Sequence, residues 1–163
     1  MAHVNSEVAA HWDDAYAEGD TTRSWYQPQA DISLRLIHAV GAGPADSVID
    51  VGGGASTLVD GLLADGYTEV SVLDVSAAGL GVAQRRLGTQ ASNVHWLVAD
   101  VLTWRSPQHF RVWHDRAVLH FMTTADQRDA YRTAMLAATA PGSAVILGTF
   151  GPAGPTACSG LPV

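Results

Sequence analysis

Three carboxylates stand at the ends of short apolar runs: Asp50 in Ser47-Val-Ile-Asp-Val51, Asp74 closing Val70-Ser-Val-Leu-Asp74, and Asp100 after Trp96-Leu-Val-Ala99. Directly after the first comes Gly52-Gly53-Gly54-Ala55-Ser56. Glycines let a backbone approach a ligand closely and adopt positive φ, and a helix starting after them turns free N–H groups toward an anion or carboxylate. The alternative is a tight strand-to-helix turn with no ligand, for which one glycine suffices. Asp74 follows the loop by about 20 residues, the separation at which an acid accepts both hydroxyls of a ribose. A carboxylate at a helix N-terminus beside Ser76 is the alternative there. Asp100 is suited to accept from an exocyclic amine such as the N6 of adenine, with Val101 over the ring, or to close an Asx turn.

Two cofactors combine a ribose with a group that a glycine loop can hold: a dinucleotide and S-adenosylmethionine. A diphosphate needs G-x-G-x-x-G in neutral surroundings. Here Thr57 stands where the third glycine belongs, and Asp50 precedes the loop. A carboxylate repels a diphosphate and attracts a sulfonium or ammonium, so the charges favour S-adenosylmethionine.

Elements must carry these residues to one place. Ser6 to Glu18 reads as an amphipathic helix with Trp12 and Tyr16 four apart on one face, and a second helical pattern runs through Ile32, Leu34, Leu36, Ile37 and Val40 to Gly41. Strands are expected at Ser47–Val51, Val70–Asp74, Asn93–Val98, Phe110–Asp115 and Ser143–Phe150. Between them lie helices starting near Leu58, at a Ser76 cap, and at Thr124-x-x-Gln127, a capping box opening a helix to about Ala140 before Pro141-Gly142. Strands that are apolar throughout and alternate with helices argue a Rossmann-like, doubly wound α/β fold with a mostly parallel sheet of about five strands. Residues 151–163 read as a terminal loop.

The ordered set D-V-G-G-G at 50–54, L-D-V-S at 73–76 and V-A-D-V at 98–101 resembles the first three motifs of the class I S-adenosylmethionine-dependent methyltransferases, from about Trp12 to Phe150. The length and composition bound the chain at a single domain over residues 1–163, and the resemblance implies a strand order 3-2-1-4-5 with residues 1–28 as a lid. In that fold a reversed hairpin usually follows strand five, and none is expected here before Val163. The resemblance implies, too, a cofactor set of Asp50, Gly52, Gly53, Gly54, Asp74, Val75, Asp100 and Val101. The segment Trp113-His-Asp-Arg-Ala-Val-Leu-His-Phe121 is similar to one in small methyltransferases such as the thiopurine methyltransferase group, and in some protein-lysine methyltransferases. The N-terminal W-D-D-A-Y-A-E-G-D with Trp25-Tyr26 resembles their lid, in which an aromatic side chain, here Tyr16, Trp25 or Tyr26, covers the sulfonium; ordinary packing on the sheet is the alternative. If the acceptor must lose a proton, Asp115, His114 and His120 are the candidate bases. Against that stand an Asp115–Arg116 ion pair and a packing role for His120.

Composition bounds the rest. One cysteine, Cys158, excludes an internal disulfide framework and multi-cysteine zinc sites, and methyl transfer requires no metal. The nine basic residues are all arginine against sixteen carboxylates, giving a formal charge of -7, which disfavours a nucleic-acid partner. No apolar run is long enough for a membrane span and the N-terminus is too polar for a signal peptide, so a cytoplasmic protein is expected. The expected partner is a small-molecule acceptor or, as a second choice, a protein lysine. A second copy paired through the strand-five edge is a further candidate. The alternatives are a binding module for S-adenosylmethionine without turnover and, more weakly, a nicotinamide-dependent oxidoreductase.

Overall fold

The computed structural model describes residues 6–17 and 26–163. Helices α1 (Ser6–Ala17) and α2 (Asp31–Ala39) precede β1 (Val48–Val51), α3 (Leu58–Ala64), β2 (Val70–Asp74), α4 (Ala77–Leu87) and β3 (Val94–Val98). There follow β4 (Phe110–Arg116), α5 (Ala125–Ala137), β5 (Thr139–Gly148), β6 (Ala157–Cys158) and β7 (Leu161–Pro162). The first five strands form one parallel sheet in the order β3-β2-β1-β4-β5, as the sequence leads one to expect.

Every residue of β1 and β2 is buried, which is why these strands read as continuous apolar runs. Their alternate side chains feed two cores. Val48, Val70, Val72 and Val112 pack with Ile37, Leu58, Leu62 and Leu80 on one face of the sheet. Ile49, Val51, Leu73 and Trp113 pack with Tyr131 and Ala134 of α5 on the other. Both cap signals appear as expected: Ser76 Oγ accepts from Gly79 N, and Thr124 with Gln127 forms a full capping box.

Two expectations are corrected. Helix α5 ends at Ala137, and Pro141-Gly142 fall inside β5 instead of separating helix from strand. Phe110 N donates to Ala138 O, so pairing with β4 begins immediately; the register then shifts between Phe110 and Val112, and Ser143 Oγ donates back to Phe110 O. A proline is tolerated there because β5 lies at the sheet edge. The terminal segment, in turn, is more than a loop. β6 and β7 pair antiparallel as a separate two-stranded sheet, so no strand extends the main sheet past β5 among the described residues. No helix is long and apolar enough to cross a membrane among the described residues.

Candidate functional site

At the carboxyl ends of the strands, where open parallel sheets bind ligands, lies a cavity of about 650 Å³. Its two halves follow the strand order. On one side the wall is made by the ends of β1 and β2 and the loop after β3, with Gly52, Gly53, Asp74, Val75, Asp100 and Val101. On the other it is made by the loop after β4, the end of β5, and the β6–β7 hairpin.

The glycine loop is shaped by close packing as much as by ligand access. Gly52 (φ +70°) and Gly54 (φ +44°) hold conformations that side chains disfavour. A Cβ on Gly52 would lie 1.9 Å from Val118 Cγ2, one on Gly53 2.5 Å from Val72 Cγ1, and one on Gly54 2.0 Å from the Tyr16 hydroxyl oxygen. Gly54 is thus covered by Tyr16 of α1. Arg86 of α4 secures the far end of the loop: it donates to Ala55 O (2.9 Å) and Ser56 O (2.7 Å), and forks onto Asp60 of α3. The sequence does not single out Arg86, because its partners lie some thirty positions away and follow no local pattern.

Asp74 is 7% exposed, and its Oδ1 accepts from Ser76 N at 2.8 Å. Burial pushes its pKa up to about 7; Asp50 and Asp13 add to this, while the Ser76 and Gly54 N–H groups oppose it. Asp100 lines the cavity and also closes an Asx turn, its Oδ1 accepting from Leu102 N at 2.9 Å. The two alternatives for this residue are therefore compatible.

Asp50 requires correction. It does not line the cavity: it is buried beneath the loop, where its Oδ1 accepts from His114 Nδ1 at 2.7 Å, while His114 Nε2 bonds Ser33 Oγ of α2 at 2.9 Å. The charge of Asp50 still reaches the site, adding to the rise in pKa of Asp74 and of Tyr16, both of which line the cavity. His114 is likewise removed as an acceptor-side base, since both its ring nitrogens are engaged on the face of the sheet covered by α2.

Asp115 points to the opposite face and is also enclosed. It accepts from Tyr131 OH (2.5 Å), Val118 N (2.8 Å) and Leu119 N (3.0 Å), and Tyr131 OH in turn accepts from Trp113 Nε1 (3.0 Å). Burial raises its pKa against those three hydrogen bonds. Asp115 thus anchors a turn in which Ala117 takes φ +76°, and that turn aims residues 116–121 at the cavity. Tyr131→Phe is expected to lower stability by about 1–3 kcal/mol in urea unfolding, because it leaves a buried carboxylate and an indole N–H each short of a partner.

Of the three candidate bases, His120 alone reaches the cavity wall. Both ring nitrogens are buried without a hydrogen-bond partner. The ring stacks on Phe150 (4.7 Å, 16°) and meets Phe121 edge-on (4.3 Å), and burial lowers its pKa, which favours the neutral imidazole.

Helix α1 closes one side of the cavity with Trp12 and Tyr16. It is fixed by Asp13, whose Oδ1 accepts from Ser76 Oγ (2.6 Å) and Ala78 N (3.1 Å) at the start of α4, and by His11 Nε2, which donates to Ser159 O in the hairpin (2.9 Å). Burial, with Asp74 nearby, raises the pKa of Tyr16 and keeps it protonated. Tyr26 also lines the cavity; Trp25 lies outside the described residues.

Residues 48–142, more than half of the chain, match the family described as "Methyltransferase domain", and the chain belongs to that family. Solved structures agree on the fold. The DhpI-SAM-HEP complex superposes with a TM-score of 0.67 at 19% identity, covering 90% of this chain and 66% of that one. The sugar N-methyltransferase KedS8 from Streptoalloteichus sp. gives 0.65 at 16% identity, covering 93% and 56%. SAM-bound CalS10, an amino pentose methyltransferase from Micromonospora echinaspora involved in calicheamicin biosynthesis, gives 0.62 at 24% identity, covering 93% and 59%. The chain spans between half and two thirds of the length of these three structures. No curated protein matches it in sequence.

Proposed function

We propose that the chain is the cofactor-binding and catalytic domain of an S-adenosylmethionine-dependent methyltransferase acting on a small nucleophilic acceptor. The observation that carries this is one continuous cavity with two chemically distinct halves: acid and glycine at the ends of β1 to β3, and largely aromatic and apolar, with Arg116 as its charged group, beyond β4 and β5. The first half fits the cofactor by its donor set. Asp74 accepts ribose hydroxyls, Asp100 meets the adenine amine, and Val75 and Val101 offer apolar surface to the ring.

When bound, the cofactor supplies an electrophilic methyl on a sulfonium. The chain's own work is to hold an acceptor in line with that methyl, keep water out, and manage charge and protons. Helix α1 and the β6–β7 hairpin wall off solvent, with the His11–Ser159 bond joining them. Tyr16 and Tyr26 present aromatic faces suited to a cation, and His120 is the group that accepts a proton. A protein lysine is the weaker choice, as the acceptor half carries no carboxylate among the described residues. The open edge of β5, where Val145 and Leu147 are exposed, is where a second copy would pair.

Titration calorimetry with S-adenosylmethionine and S-adenosylhomocysteine is the test. Micromolar binding of both is expected; absence of binding overturns the assignment. Binding with no methyl transfer to any acceptor marks a module without turnover.

A further inference from the structure

Resting on that assignment, we infer that the acceptor half of the cavity takes an uncharged, flat molecule bearing a weakly acidic ring hydroxyl, a phenol-type acceptor, with His120 as the proton acceptor. Three observations converge. First, four wall residues form a run of packed rings: Trp12 of α1 meets Phe121 edge-on (5.4 Å), Phe121 meets His120, and His120 stacks on Phe150, with Leu161 and Pro162 of the hairpin beside them. Such rings stack on a flat acceptor, and the neutral polar side chains on this half, Thr123, Gln127 and Thr149, are few against the many hydroxyls of a sugar.

Second, the charges are sorted. The carboxylates on the cavity wall, among the described residues, are Asp74 and Asp100, both on the cofactor half; the charged side chain on the acceptor half is Arg116. An amine acceptor is an ammonium at neutral pH, and enclosing it among rings beside an arginine, with no carboxylate for partner, is strongly unfavourable. A phenol enters neutral and gains negative charge only as it reacts, which a neighbouring guanidinium favours.

Third, His120 has an unmet need. Its Nδ1 and Nε2 are both buried without partners, although buried polar atoms are nearly always paired. A neutral imidazole whose ring turns within its Phe121–Phe150 packing to bring a nitrogen to the cavity can accept the hydroxyl proton. In the step that follows, the O–H bond breaks and its proton passes to a ring nitrogen of His120. The oxygen lone pair forms an O–C bond to the methyl carbon. The carbon–sulfur bond breaks with its electron pair returning to sulfur, leaving an aryl methyl ether and S-adenosylhomocysteine. The His120 imidazolium then releases its proton to water that enters as the product leaves.

The test uses the whole chain with β-naphthol, para-nitrophenol and cyclohexylamine. β-Naphthol is expected to quench tryptophan fluorescence with at least about tenfold greater affinity than the amine, with and without S-adenosylhomocysteine. It is also expected to be the better methyl acceptor. His120→Gln should lower kcat for β-naphthol by about 100-fold or more, yet change it less than about fivefold for para-nitrophenol, which is already ionised near about pH 8. Preference for the amine in binding or turnover overturns the acceptor class, and equal losses with both phenols overturn the role of His120. Failure of S-adenosylmethionine to bind while β-naphthol still quenches overturns the methyltransferase assignment instead, so the two failures are distinguishable.

Discussion

Replacing Asp74 with asparagine is expected to weaken S-adenosylmethionine binding by at least about 100-fold, since two hydrogen bonds to a charged acceptor are each worth about 1.5–3 kcal/mol, while making the protein more stable. The carboxyl sits buried at the end of β2, and its pKa rises from an ordinary value of 3.8 to about 7. Between those two values the folded chain holds a proton that the unfolded chain has released. Stability from this group is therefore greatest at low pH, declines as pH rises through that interval, and is fully lost above about 7. The ionised, buried carboxylate then costs on the order of 4 kcal/mol. An asparagine carries no charge and escapes that cost, so the Asp74→Asn variant should melt on the order of 10 °C higher near about pH 8, with the gap closing toward about pH 4. Ligand affinity should show the complementary trend. A ribose favours the ionised carboxylate, so wild-type affinity should rise with pH up to about 7 and then level off, whereas the asparagine variant should show a flat profile. Calorimetry across pH and thermal melts of both proteins check the pair of outcomes; a wild-type affinity independent of pH would remove Asp74 from the ribose.

The largest loss of stability is expected from His114→Leu. It leaves the Asp50 carboxylate, 3% exposed, without its 2.7 Å partner beneath the glycine loop. Breaking a buried pair by removing one member costs about 3–5 kcal/mol, whereas replacing both by apolar groups is often neutral. The double variant Asp50→Val/His114→Leu should therefore recover most of the loss in urea unfolding, and should still bind S-adenosylmethionine, because neither side chain lines the cavity. A double variant that unfolds as readily as the single one, or that loses the cofactor, would return Asp50 to the binding site.

What the sequence made legible was local or periodic. The apolar runs of β1 and β2, the caps at Ser76 and Thr124, and the acids at consecutive strand ends all depend on neighbours within a few positions. Pro141-Gly142 misled because a local turn signal was overridden by pairing with Phe110 on β4. The hairpin at 157–162 left no mark because strands of two residues carry no periodicity.

By itself the sequence determined that strands and helices alternate, that acids and glycines end the strands, and that these motifs are those of a methyltransferase. Only the tertiary structure decided which of those acids and bases line the cavity. His114 and Asp115 are adjacent, and adjacent residues on a strand point to opposite faces. One goes to Ser33 under α2 and the other to Tyr131 of α5, so both are enclosed. His120, in the loop past the end of β4, lies beyond the sheet, where the cavity opens. A strand sets the alternation of its side chains, but the helices packed on each face decide what those side chains meet.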